Sequence, residues 1–131
     1  MTDVQFKDLG LSPALLDALD AIGYQYPTPV QAAAIPVAAT GRDVMAQAQT
    51  GTGKTAAFSI PLIDRLEDAK GVSALILCPT RELAKQVADE ISRLAQFKRL
   101  LPAAVYGGAS MDKQIKEIRK AQIVVGTPGR V

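Results

Sequence analysis

Residues 48–55 read Ala-Gln-Thr-Gly-Thr-Gly-Lys-Thr. Glycines on either side of a threonine, followed at once by Lys-Thr, suit a backbone that curls tightly and then enters a helix. A short strand is expected just before this loop, from Asp43 to Gln47, and a helix just after it, from about Gly53 to Asp68. In that setting the loop becomes a phosphate cradle, because successive N–H groups converge on anionic oxygens at the positive end of the helix. Ala48, Gln49, Thr50, Gly51, Thr52 and Gly53 line the cradle, Lys54 reaches the terminal phosphates, and the Thr55 hydroxyl is placed to coordinate Mg²⁺. The first position is alanine rather than the usual glycine.

The remainder of the chain repeats the strand, loop, helix order. Ser12 or Pro13 opens a helix carrying Leu15, Leu16, Leu19 and Ile22, which Gly23 stops. After a turn through Pro27, Thr28 caps a short helix from Gln31 to Ile35, with Pro36 a kink or break and Gly41 the end. Downstream, Val72 to Cys78, Ala103 to Tyr106 and Gln122 to Val125 are strands. Between them lie an amphipathic helix from Thr80 to about Phe97, with Leu83, Val87, Ile91 and Leu94 inward, and a helix capped by Ser110 that runs to Lys120. Strands alternating with helices at this spacing imply right-handed parallel crossovers, hence a doubly wound α/β fold. Residues 1–40 form a helical lead-in and 41–131 the α/β part, together one structural unit.

Composition excludes several chemistries. The chain has no histidine, so neither a Ser-His-Asp triad nor a His-ligated zinc site can form within it. Its one cysteine, Cys78, closes an apolar run and suits a small buried hydrophobe. No apolar run approaches the roughly 20 residues that span a bilayer, and Met1 to Gly10 lacks a secretory core, which points to the cytoplasm. A net charge of only +2 means that any nucleic-acid binding depends on where cations are placed. Lys98 with Arg99, and Lys113, Lys116, Arg119 with Lys120, are local clusters that equally suit solvated helix faces.

The surroundings of the loop are more specific than the loop. Gly23-Tyr24 and Pro27-Thr28-Pro29-Val30-Gln31, with Phe6 upstream, resemble the Q motif of DEAD-box RNA helicases. Ala48 to Thr55 resembles their motif I, where alanine at the first position is normal. Pro79-Thr80-Arg81-Glu82-Leu83-Ala84 resembles motif Ia, Gly107-Gly108 the glycine doublet, and Thr127-Pro128-Gly129-Arg130 motif Ib. Five motifs in family order span nearly the whole chain. The resemblance implies a P-loop, RecA-like domain that binds ATP and Mg²⁺, with Phe6 and Tyr24 at the base and Tyr24 stacked on adenine. It implies RNA gripped through its backbone, without sequence preference, by Pro79, Arg81, Gly107, Gly108, Thr127, Gly129 and Arg130. A second RecA-like domain in the parent chain is a further implied partner.

Physical chemistry supports parts of this independently. A primary amide such as Gln31 is both donor and acceptor and can meet adenine N6 and N7 together, whereas guanine presents the wrong edge. Arg81, Thr127 and Arg130 offer donors suited to phosphate oxygens and follow strand ends, where open α/β sheets bind ligands. Glu82 reads as a structural carboxylate at a helix start. Hydrolysis also requires an acidic strand end to hold Mg²⁺ and position water. The four strands expected here lead into Gln47, Pro79, Gly107 and Gly126. The resemblance therefore implies that the chain is an amino-terminal segment of an ATP-dependent RNA helicase that binds nucleotide and RNA but is not expected to turn over by itself; the alternatives are, for this segment alone, a non-catalytic nucleotide- and RNA-binding module, or a DNA helicase or another P-loop ATPase. Its last residues, Thr127 to Val131, resemble the start of a helix, so the chain is expected to be a truncated domain whose uncovered apolar surface drives self-association. Sedimentation across a concentration series should show mass rising with concentration, and a concentration-independent monomer would contradict this.

Overall fold

The computed structural model describes residues 4–45, 53–66, 71–98, 100–108 and 110–130. Contacts divide the chain into two compact units, Met1–Arg65 and Leu66–Val131.

The first unit is helical. A 3-10 turn, Phe6–Leu9, precedes α1 (Pro13–Ala21), α2 (Pro29–Ala39) and α3 (Lys54–Arg65). Proline at the first position of α1 and α2 loses nothing, because that N–H has no partner in a helix anyway. Pro36 neither breaks nor ends α2, and Pro61 lies within α3. Each removes one backbone bond, but α2 and α3 pack along one another, with Ile35, Ile60 and Ile63 fully buried. Burial of three such side chains outweighs two missing bonds. The Ser12 amide donates to Asp64 Oδ1 at 3.0 Å, tying the start of α1 to the end of α3.

Residues 42–45 take no strand conformation, and Met45 is 99% exposed. A strand exists only where a neighbour satisfies its backbone; the rest of the strand expected to end at Gln47 lies outside the described residues, as do positions 48–52 of the glycine-rich loop.

The second unit is β1 (Ala74–Leu77), α4 (Arg81–Leu94), β2 (Pro102–Val105), α5 (Met111–Lys120) and β3 (Ile123–Gly126). All pairings are parallel and the order is β1-β3-β2, with Ala74 and Pro102 both level with Ile123. The chain steps over the place of β3 and then returns to fill it. Right-handed crossovers in opposite directions set α4 and α5 on opposite faces, which is the doubly wound arrangement. All four residues of β3 are accordingly buried, whereas β1 alternates and leaves Leu75 and Leu77 at 53% and 57% exposed.

Thr80 caps α4 by accepting from the Leu83 amide at 3.2 Å, and Ser110 caps α5 from the Lys113 amide at 3.3 Å. The buried stripe of α4 is Ala84, Val87, Ala88, Ile91 and Leu94. Leu83, expected inward, is instead 37% exposed, since at 100° per residue it falls at the margin of that stripe. Replacing Ile91, which is fully buried, by alanine should cost about 2–5 kcal/mol in denaturant unfolding. Ile115→Ala on exposed α5 should change stability by no more than about 0.5 kcal/mol.

Candidate functional site

In the first unit the structure joins the start of α2 to the start of α3. Thr28 and Gln31 form a reciprocal cap. The Gln31 amide N–H donates to Thr28 Oγ1 at 3.4 Å, and the Thr28 N–H donates to Gln31 Oε1 at 2.9 Å. Gln31 Nε2 then donates to the carbonyl of Gly53, 3.2 Å away, immediately before Lys54 and Thr55. Gln31 is only 4% exposed, so the side chain expected to read a base is also a structural strut. The Thr-x-x-Gln spacing was the available sign of its capping role. Each end of a primary amide has two hydrogen-bonding positions, and these contacts use one at each end.

Gly53 holds φ +86°, which side chains rarely adopt, and a Cβ there would run into Gln31 Nε2 and stand 3.1 Å from Thr28 Oγ1. Glycine is required both by conformation and by space. Lys54 is exposed and Thr55 partly so, at the first two positions of α3. Ala48, Gln49, Thr50, Gly51 and Thr52 lie outside the described residues.

Phe6 and Tyr24 come together, with ring centroids 6.4 Å apart and planes inclined by 19°. Phe6 is 2% exposed and Tyr24 38%, so Phe6 supports the ring that Tyr24 presents. Both line a cleft of about 500 Å³ with Leu16, Asp17, Asp20 and Gly23; Gln31 is not among the residues of its wall.

In the second unit the strand exits gather the remaining candidates. Pro79 and Arg81 follow β1, Gly107 and Gly108 follow β2, and Thr127, Gly129 and Arg130 follow β3. Gly108 has φ +82°, and a Cβ on it would lie 3.2 Å from Arg81 Nη1, so the glycine lets Arg81 approach the doublet. Lys85 Nζ sits 5.1 Å from the centre of the Tyr106 ring. The Thr127 N–H donates to the Val105 carbonyl at 3.0 Å, and the Arg130 N–H to the Thr127 carbonyl at 3.1 Å. Gln114, which sequence reasoning passed over, bridges Tyr106 and Arg130.

Arg81 Nε also contacts Glu82 Oε1 at 3.2 Å on an exposed surface. The Glu82 backbone N–H at the start of α4, followed by Arg81, holds its carboxyl below the usual range. Its folded value being depressed, any stabilisation it contributes is present above the ordinary carboxylate range and lost as pH falls below it. Burial raises the Cys78 thiol, and the side chain is 5% exposed, which fits a packing role.

A parallel sheet with helical crossovers, preceded by a glycine turn that opens a helix on Lys-Thr, defines a P-loop protein of the RecA-like kind. The family model described as DEAD/DEAH box helicase matches residues 28–131, and the chain belongs to that family. It is 53% identical over 127 residues to the RNA helicase CrhR of Synechocystis, covering 96% of this chain and 26% of that protein. Among solved structures, a DEAD box protein from the hyperthermophile Methanococcus jannaschii matches with TM-score 0.91 and 47% identity, over 97% of this chain and 36% of the other. A hypothetical ATP-dependent RNA helicase from Sulfolobus tokodaii matches with TM-score 0.84 and 38% identity, over 92% and 35%. The chain thus spans about a quarter to a third of the length of these relatives. No helix among the described residues is long and apolar enough to cross a membrane.

Gly53→Ala should destabilise the chain more than Gly23→Ala, whose φ of +84° carries the same strain of about 1–2 kcal/mol but whose Cβ meets nothing within 4 Å. In the Gln31→Ala background the excess should largely vanish; thermal melts of the four proteins make the comparison.

Proposed function

We propose that this chain supplies adenine-nucleotide and RNA-backbone contacts to an ATP-dependent RNA helicase. The observation that carries the nucleotide half is the bond from Gln31 to the Gly53 carbonyl. It ties the amide proposed to read the base to the end of the phosphate loop, so that a ligand engaging Lys54 and Thr55 would be met by Gln31 in a set position. The second donor and second acceptor of Gln31, which its contacts with Thr28 and Gly53 do not take up, match adenine rather than guanine. Tyr24, backed by Phe6, provides an aromatic face for the base.

Lys54 binds terminal phosphate, and the Thr55 hydroxyl provides one oxygen to Mg²⁺. Among the described residues no three Cys, Asp or Glu side chains gather to hold a metal. A single hydroxyl oxygen such as that of Thr55 suits a hard cation, and Mg²⁺ held there would neutralise charge on the phosphates. The residues directly after β1, β2 and β3, Cys78-Pro79, Tyr106-Gly107 and Thr127-Pro128, offer no carboxylate to align water. We assign hydrolysis to residues outside this sequence and to a second RecA-like domain, and the chain itself to binding.

RNA is held at the exits of β1, β2 and β3 by Arg81, Gly107, Gly108, Thr127, Gly129 and Arg130, with Pro79 shaping the first turn. Guanidinium and hydroxyl donors read phosphates rather than bases, so binding is independent of sequence and sensitive to salt.

Calorimetric titration tests the nucleotide half. Lys54→Ala should weaken ATP and GTP alike, whereas Gln31→Ala, which also removes the bond to the Gly53 carbonyl, should weaken both but ATP by roughly 2- to 10-fold more than GTP. Equal losses for both nucleotides would remove the base-reading role. In anisotropy measurements with single-stranded RNA, Arg81→Ala should reduce affinity uniformly across sequences and lower the log–log salt slope by about 0.7; an unchanged slope would clear these loops of RNA contact.

A further inference from the structure

Helix α5 buries one side chain, and it is a polar one: Gln114, 5% exposed, while every other residue of the helix is exposed or partly so. At the most buried position of a surface helix an apolar residue would ordinarily be favoured, and a buried amide is retained only where its hydrogen bonds are satisfied. Gln114 satisfies them at two different strand exits. Its Nε2 donates to the carbonyl of Tyr106 at 2.9 Å, and its Oε1 accepts from Arg130 Nη1 at 3.5 Å.

One partner adjoins the proposed RNA contacts and the other is one of them. Tyr106 is the last residue before Gly107-Gly108, and the Gly108 turn leaves room for Arg81. Arg130 closes the turn after β3 through its own N–H to Thr127. Resting on the reading of these loops as an RNA-backbone site, we infer that Gln114 is a positioning residue that links the glycine doublet to Arg130 and pre-orients the guanidinium for phosphate.

The physical reason lies in the side chain it holds. Arginine has many rotamers, and a phosphate contact made by an unguided arginine loses that freedom on binding. A bond to a buried amide takes up part of the ordering in advance and restrains one end of the guanidinium fork. The bond to the Tyr106 carbonyl in turn fixes the amide, so that its oxygen and not its nitrogen faces Arg130. The exits of β2 and β3, adjacent in the sheet, are thereby held as a pair.

Two substitutions separate positioning from mere support. Gln114→Met keeps an unbranched side chain of similar length and removes both bonds. It should weaken single-stranded RNA by roughly 3- to 10-fold at low salt and have no further effect when Arg130 is already alanine. Gln114→Glu keeps and charges the acceptor but loses the donor to the Tyr106 carbonyl, so the carboxylate turns from that carbonyl to Arg130, pairs with it and competes with phosphate. The magnitude of the log–log salt slope should then fall by about 0.7, as if one phosphate contact were gone. A structural defect alone would lower affinity without changing that slope, and the Glu variant carries the test if the Met variant does not fold. Independent, additive losses from Gln114→Met and Arg130→Ala, or an unchanged slope in Gln114→Glu, would overturn the inference. If Arg130→Ala weakens RNA but neither Gln114 variant does, only the positioning role fails. If Arg130→Ala has no effect, the RNA reading of Arg130 fails and the positioning role falls with it.

Discussion

The second unit depends on the parallel pairing of β3 with strands on both sides. Ile123, Val124, Val125 and Gly126 are all buried, and each is level with a residue of β1 and a residue of β2. A central strand of this kind has no solvent face, so its sequence is a continuous apolar run rather than an alternating one. Parallel neighbours cannot be joined by tight turns, and the crossovers have to be α4 and α5. The same constraint brings the three carboxyl ends to one edge of the sheet, which is why Arg81, the glycine doublet and Arg130 are candidates for one ligand.

Buried amides do for the loops what β3 does for the sheet. Among the described residues three polar side chains are buried, and two of them, Gln31 and Gln114, each bridge two segments through side-chain bonds; Gln31 links the starts of α2 and α3, and Gln114 extends the backbone pairing of β2 with β3 past the strand ends. An amide suits this use because it donates and accepts at once without the cost of burying a charge. In both cases one end of the bridge lies beside a proposed ligand contact, Lys54 in the first unit and Arg130 in the second. Rigidity at these points limits the ordering that binding would otherwise demand.

Membership of the DEAD/DEAH box helicase family was legible because its motifs are short, ordered and chemically constrained, and the match over residues 28–131 bears this out. The α/β class and the approximate places of β1, β2, β3 and the capped helices were legible for a different reason, since apolar runs and Thr80 or Ser110 caps act over a few residues. Boundaries were less so. Leu83 sits at the margin of the buried stripe of α4, and Pro36 stays inside α2 because packing against α3 outweighs one lost bond.

From the sequence alone came what depends on neighbours along the chain: the strand and helix periods, the caps, the glycine-rich loop, the exclusion of histidine chemistry, and the family. Only the tertiary structure decided the strand order β1-β3-β2, the dual use of Gln31 as cap and strut, the support of Tyr24 by Phe6, and the Tyr106, Gln114, Arg130 bridge. These join residues that local preference cannot relate. Gln31 and Gly53 are 22 positions apart and Gln114 and Arg130 are 16 apart, and no local pattern distinguishes a glutamine that will face solvent from one that packing will bury against a distant carbonyl.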